Sequence, residues 1–389
     1  MIEIACGFPG GNVLLDAIEG DIVRLRQDQR DTREYSWFYW YFGVRGAAGR
    51  TLRFTFAEEV VGVRGPGVSL DDGTTWQWLG GEAGDRRSFA YTFPEGVAEV
   101  RFSFGMPYTQ AHLERFLAAH ADAARLRRET LCHSRKGRPV ELLSCGRLDG
   151  EAEHRVLLTA RHHCCEMMGS YVLEGIIAAA LAEDETGRWL SDRVEILAIP
   201  FMDKDGVEEG DQGKGRAPHD HECDYAAGLY PEVRALKERA RTWAGAGLRC
   251  VLDLHCPGKW GKWSELVYFV GTEQADLWAR TEEFCRALEA ANRGPLPYCT
   301  GNNLLFGVGW NTADEWGPPT TEPGSAALWL SQLPGVWFGA IMEVPYANAQ
   351  GVEVNAQTAR AFGRDLAEGL RRYLSARPPA ADSGRKMQG

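Results

Sequence analysis

The sequence predicts an α/β protein with a largely parallel sheet, preceded by a smaller antiparallel β part. Two observations predict it: apolar residues alternate with period two over roughly the first 105 residues, and beyond them buried strand-like runs alternate with amphipathic helical stretches. At 389 residues the chain exceeds one small domain and has ample length for a buried core. Its 44% hydrophobic and 25% charged content is that of a globular chain.

The elements follow in order. Leu52, Phe54 and Phe56, and again Val100, Phe102 and Phe104, read as half-buried strands. The aromatic run from Trp37 to Phe42 suits a sandwich core strand, and Asp72-Gly73 is a hairpin-type turn signal. Near Gly105-Met106-Pro107 the texture changes, and Gln110 to Arg128 reads as a helix with Leu113, Phe116, Leu117, Ala121 and Ala124 on one face. Residues 1–110 are therefore expected to form a β-sandwich unit and 111–376 an α/β unit. Within the latter, strands at Val156 to Ala160, Val194 to Ile199 and Cys250 to Leu254 alternate with helices at Tyr171 to Leu181, Pro231 to Ala244 and Gln274 to Ala291. Gln357 to Leu374 is an amphipathic closing helix, and the tail 377–389, rich in Pro, Ala, Ser and charge, is expected to be disordered.

Composition excludes some functions. A net charge of -11 argues against a nucleic-acid backbone or an anionic membrane as partner. The start, Met1 to Cys6, lacks the basic and apolar regions of a secretion signal, and no apolar run approaches ~18 residues, so a cytoplasmic location is expected. Ten scattered cysteines without a CxxC fit reduced thiols serving as small hydrophobes rather than a four-cysteine zinc site. Nothing in the sequence sets the oligomeric state.

Three short segments carry chemistry: Arg161-His162-His163-Cys164-Cys165-Glu166, Asp253-Leu254-His255 and Ile341-Met342-Glu343-Val344-Pro345-Tyr346. A hydrolytic zinc site takes three ligands from His, Asp and Glu and keeps a fourth position open for water. His163 and Glu166 fall where a strand ends and a helix begins, His255 directly follows an apolar strand, and Glu343 ends another. Such carboxyl-edge positions are where α/β enzymes hold ligands. The HxxE spacing favours His163, although His162 could take its role in another register. Taken singly, His255 reads equally as a satisfied buried histidine and Glu343 as a capping or ion-paired carboxylate.

Together these pieces, with Asp203-Lys204-Asp205-Gly206-Val207 and His219-Asp220-His221-Glu222-Cys223-Asp224-Tyr225, resemble the zinc carboxypeptidases of the carboxypeptidase A type, in particular the cytosolic carboxypeptidase branch with its N-terminal β-sandwich domain. The resemblance spans nearly the whole chain. It implies a mixed sheet flanked by helices, one zinc ion per chain held by His163, Glu166 and His255, and Glu343 as the general base that activates water and then protonates the leaving amine. It further implies Asp220 as the carboxylate that orients a ligand histidine, with Arg216 as the candidate cation for the oxyanion.

The pattern breaks at recognition. The family has Asn-Arg, which grips the substrate's terminal carboxylate, where this chain has Glu222 and Cys223. A thiol cannot replace a bidentate guanidinium, and an added carboxylate repels an anion. The family's mobile tyrosine also finds no match between Trp310 and Glu343, where Trp310, Trp316, Trp329 and Trp337 crowd instead. The expectation is a zinc-dependent hydrolase of a peptide or other amide with altered recognition, in which Glu222 and Cys223 meet the substrate. A specialised amidohydrolase of small-molecule biosynthesis and a zinc-retaining binding protein are the alternatives.

Overall fold

A computed structural model describes residues 1–33, 37–316 and 323–377 of the chain. The expectation of a disordered tail therefore lies, from residue 378 onward, outside the described residues.

Residues 3–103 build two five-stranded sheets. One contains, in spatial order, Glu3–Ala5, Tyr41–Arg45, Glu99–Ser103, Gly67–Ser69 and Gln77–Trp78. The other contains Leu14–Glu19, Ile22–Arg26, Thr51–Phe56, Ser88–Thr92 and Gly84–Asp85. The alternation read in the sequence becomes their shared core: Leu52, Phe54, Phe89, Phe102 and Trp40 are fully buried, and the Phe54 and Phe89 rings stand 4.9 Å apart. Asp72 and Gly73 take φ of 56° and 80° in the loop joining Gly67–Ser69 to Gln77–Trp78, which is why a small polar residue and glycine stand there. Two expectations are corrected. The pair Ile22–Arg26 and Thr51–Phe56 is parallel, because the chain between them crosses to the other sheet to lay down Tyr41–Arg45 before returning. The aromatic run is only partly a strand: Trp37 to Trp40 precede Tyr41–Arg45, yet Phe38, Tyr39 and Trp40 are all buried.

The helix expected over 110–128 stops at Ala119, and Leu126–His133 is instead a strand paired antiparallel with Pro139–Gly146. Ladder hydrogen bonds to a neighbour override the helical periodicity of its side chains.

That strand is the edge of a seven-stranded sheet, ordered Leu126–His133, Pro139–Gly146, Val194–Ile199, His154–Ala160, Leu248–His255, Phe338–Glu343 and Tyr268–Phe269. Its four middle strands from Val194–Ile199 to Phe338–Glu343 are parallel and the flanking pairs antiparallel. Strand His154–Ala160 is buried on both sides: Val156 and Leu158 join the core under helices Met168–Ala180, Ala275–Ala291 and Ala356–Ser375, while Leu157 joins the core under Pro231–Ala244 and Ala326–Ser331. This is the near-continuous apolar run of a parallel strand covered on both faces. Helices Met168–Ala180 and Ala356–Ser375 approach closely through glycines, since a Cβ on Gly175 would stand 2.2 Å from the Arg360 carbonyl oxygen.

No helix among the described residues is long and apolar enough to cross a membrane. All ten cysteines are unpaired, and six of them are buried.

Candidate metal centre

Three neighbouring parallel strands deliver the site. Ala160, Leu254 and Met342 are register partners across them, so His255 and Glu343 stand level one step further along while the first strand gives way to the 161–166 turn. Arg161 takes the left-handed φ of 65° that starts this turn. Its buried guanidinium donates to the Cys164 and Tyr108 carbonyls and lies 3.2 Å from Ser170 Oγ, which holds the turn in place. The Glu166 amide then donates to the His163 carbonyl at 3.1 Å, and the helix from Met168 follows.

The result is a convergence of acceptors. His163 Nδ1 is 2.9 Å from Glu166 Oε1, His255 Nδ1 is 2.9 Å from Glu166 Oε2, and the two Nδ1 atoms are 3.2 Å apart. An aspartate faces the other nitrogen of each histidine: Asp253 Oδ2 lies 2.9 Å from His255 Nε2, and Asp220 Oδ1 lies 3.3 Å from His163 Nε2. Asp253 favours the Nε2–H tautomer of His255 through a hydrogen bond, and the Asp220 charge, near His163 Nε2 without an aligned hydrogen bond, favours it there, which leaves two Nδ1 lone pairs and a carboxylate facing one another in a buried space. Only a cation or extra protons make that arrangement stable. Two nitrogens at zinc-ligand distance on a tetrahedral ion would be ~3.3 Å apart, so the residues fit zinc.

Electrostatics give the same reading of the cluster. Burial alone would lower the His163 pKa, but Glu166 and Asp220 raise it to about 10. Burial is likewise outweighed at His255, which Asp253 and Glu166 hold well above the usual imidazole range. Glu166, despite burial, is pulled down to about 2 by the two histidines. The arrangement of carboxylates around the two histidines attracts positive charge.

A second donor set, His162, Asp253 and His255, shares His255 and also gathers closely enough to hold a metal. Its atoms already have partners. Asp253 Oδ1 accepts from Thr159 Oγ1 at 2.8 Å and from His162 Nδ1 at 2.8 Å, while His162 Nε2 meets the Tyr225 hydroxyl at 2.9 Å. Asp253 is thus a buried bracket between two imidazoles, with its pKa driven down, against burial, by both.

Glu343 sits beside the cluster with Oε2 buried and without a hydrogen-bond partner among the described residues. Burial and the Glu166 charge push its pKa up to about 8, with His255, His163 and Lys214 opposing. Tyr268, its register partner on the antiparallel neighbour, is fully buried with its hydroxyl beside the Trp310 indole. Tyr268 precedes Trp310 in the chain and so lies outside the stretch between Trp310 and Glu343 in which the sequence offers no tyrosine. The short apolar run Val267 to Val270 was the available signal.

Of the remaining candidates, Asp220 and Glu222 gather with His163. Glu222 is buried, with Oε1 lacking a hydrogen-bond partner among the described residues and Oε2 accepting from the Cys223 thiol at 3.2 Å. Burial and Asp220 raise its pKa, with His255 opposing. Arg216, the cation expected at the oxyanion, is engaged elsewhere in this structure. Its guanidinium is spent on three carboxylates, with Nε and Nη2 each 3.0 Å from Asp31, Nη2 2.7 Å from Asp211, and Nη1 on Asp203. It ties residues 31–33 to the 215–217 loop, where backbone bonds join Arg33 to Gly215 and Ala217 to Asp31. The cation whose charge reaches Glu343 and Asp220 is its neighbour Lys214, itself 2.6 Å from Glu315.

A mixed sheet with parallel middle strands, helices on both faces and donors at its carboxyl edge is the carboxypeptidase fold. It matches a metallo-carboxypeptidase from Burkholderia cenocepacia with a TM-score of 0.77 at 20% identity, over 97% of this chain and 100% of that one. A metallo-carboxypeptidase from Pseudomonas aeruginosa in complex with (2-guanidinoethylmercapto)succinic acid matches with a TM-score of 0.75 at 21% identity, over 96% and 99%. More particularly, residues 110–229 match the zinc carboxypeptidase family model. In sequence the chain is similar to cytosolic carboxypeptidase 2 of Macaca fascicularis, 27% identical over 239 residues, and to cytosolic carboxypeptidase 3 of Mus musculus, 25% identical over 156 residues. The first match covers 53% of this chain but 28% of the relative, and the second 38% and 16%.

Proposed function

We propose that the chain is a zinc-dependent hydrolase of a peptide or another amide, with one zinc per chain held by His163, Glu166 and His255. The observation that carries this reading is the convergence of two Nδ1 lone pairs and a carboxylate beside a second, unpartnered buried carboxylate, Glu343. A zinc ion bound there supplies a Lewis acid that polarises the scissile carbonyl and makes water more acidic. Glu343 takes the proton of the attacking water and returns it to the leaving nitrogen, a role suited to a buried carboxyl beside the ligands whose Oε2 has no hydrogen-bond partner among the described residues. Asp253 and Asp220 fix the histidine tautomers from behind. Lys214, rather than Arg216, is the cation assigned to the developing oxyanion.

The Glu222-Cys223 pair stands against ordinary capture of a terminal carboxylate, so a non-peptide amide remains the second reading. The chain is taken as two units dividing near residue 110, and as cytoplasmic, supported by relatives named cytosolic. The test is an assay on peptides with free and with amidated C-termini, with and without a chelator. Chelator-sensitive cleavage of either supports the reading, and cleavage indifferent to chelator sinks it. Glu222→Asn with Cys223→Arg should create or raise release from free C-termini.

A further inference from the structure

Tyr268 and Glu343 stand directly opposite each other where strand Tyr268–Phe269 pairs antiparallel with Phe338–Glu343. Residues so paired carry their side chains on one face of the sheet, with Cβ atoms ~5 Å apart. That face is the one on which Tyr268 packs with Val270, Leu304, Ala327 and Ile341, and Ile341 lies two residues before Glu343 on the same strand. Tyr268 sits in the run Leu266-Val267-Tyr268-Phe269-Val270, whose other members are all apolar, so packing alone asks for no hydroxyl there. Yet the Tyr268 hydroxyl and Glu343 Oε2 are both buried without a hydrogen-bond partner among the described residues. The two orphans are complementary. An ionised carboxylate oxygen only accepts, and the Trp310 indole beside the phenol oxygen can only donate to it, which leaves the O–H hydrogen without an acceptor among the described residues. Burial and the Glu343 charge push the phenol up from its ordinary value, so that hydrogen stays in place at neutral pH. A buried donor and a buried acceptor each cost free energy when unpaired, and one bond between them removes both penalties.

Resting on the hydrolase reading above, we propose that Tyr268 is a positioning residue for the reaction: its hydroxyl donates to Glu343 Oε2 in the working site and leaves Oε1 for the attacking water. Catalytic hydrogen bonds are often long or poorly aligned before substrate binds and tighten in the complex. A neutral phenol suits this task. It fixes the direction of the carboxylate without the full charge of a lysine or arginine, which would hold the carboxylate ionised and weaken it as a base. Tyr268 exchanges no proton over the cycle: Glu343 takes the proton of the water and passes it to the leaving nitrogen, and the phenol keeps its own.

The experiment compares wild type, Tyr268→Phe, Glu343→Gln and the double variant as zinc-loaded full chains, with zinc content and urea denaturation measured on the same samples. Tyr268→Phe removes one oxygen and keeps the ring in its apolar cluster, so zinc content and fold should be retained. Infrared difference spectra with ring-labelled tyrosine read the bond without turnover. Wild type minus Glu343→Gln should show a shifted tyrosine C–O band, and the same difference taken in the Tyr268→Phe background should lack it. In peptide hydrolysis, Tyr268→Phe should lower kcat by ~10- to 100-fold with KM within about twofold. Added to Glu343→Gln, it should change kcat no further, because it acts through that carboxylate. A tyrosine band that persists in the Tyr268→Phe background, or an equal loss of kcat in both backgrounds, would overturn the proposal. No tyrosine band in the first spectrum overturns it whether or not Tyr268→Phe folds. A shifted Tyr268 band in a chain that hydrolyses no amide would instead support the bond and count against the hydrolase reading alone.

Discussion

His255 and Glu343 are register partners at the last step of adjacent parallel strands, so that a candidate metal ligand and a carboxylate without a hydrogen-bond partner among the described residues are set level at one sheet edge. Rigid strands rather than loops fix this pair, and the chemistry assigned to each depends on the other. For Glu343→Gln the expectation is full zinc binding with kcat/KM lower by ~10²- to 10⁴-fold. Zinc titration alongside steady-state kinetics checks it, and wild-type turnover in that variant would remove Glu343 as the base.

Asp253 and Asp220 hold the far nitrogens of the two histidines. Changing either to asparagine keeps shape but weakens tautomer control, and zinc affinity should fall by ~10- to 100-fold. Competition against a chelating dye measures this. Unchanged affinity in both variants would show that the carboxylates serve packing alone.

Arg216 separates structure from catalysis. Its partners Asp203 and Asp211 are 2% and 7% exposed as side chains, so Arg216→Leu leaves buried charge uncompensated and should cost about 3 to 5 kcal/mol of stability. Urea denaturation reads that loss. The opposite pattern, intact stability with collapsed kcat, would return the residue to an oxyanion role.

Glu232, in the first turn of helix Pro231–Ala244, has its Oε2 buried without a partner, and burial together with Asp203 and Asp205 raises its pKa to about 7. Between the ordinary carboxyl value and about 7 the folded chain binds more protons than the unfolded one, so this residue's contribution to stability falls as pH rises. Glu232→Gln should therefore match wild type near pH 4 and be more stable by roughly 1 to 3 kcal/mol at pH 8. Parallel melting curves at the two pH values test it. A variant equally destabilised at both would mean that the carboxyl is not held neutral by the fold.

Much of this was legible in the sequence for a physical reason. Strands covered on both faces, such as Val194–Ile199, and long amphipathic helices, such as Pro231–Ala244, write their burial into their composition, and the predicted bounds agree with those observed. The HxxE spacing with a strand-end His255 and Glu343 pointed to residues that the fold brings together. What was not legible depended on partners distant in the chain. Strand Leu126–His133 owes its conformation to Pro139–Gly146, Arg216 owes its fate to Asp31, and Tyr268 reaches Glu343 only through sheet register. Adjacent histidines were the sharpest ambiguity, since 162 and 163 differ in role only through Asp253, Tyr225 and Asp220 around them.

The most direct measurement is therefore zinc per chain, by elemental analysis of the dialysed protein, in wild type, His163→Ala and His162→Ala. The account predicts about one zinc in wild type, loss in His163→Ala, and retention in His162→Ala. Zinc kept by His163→Ala and lost by His162→Ala would contradict it and move the centre to the His162, Asp253 and His255 set.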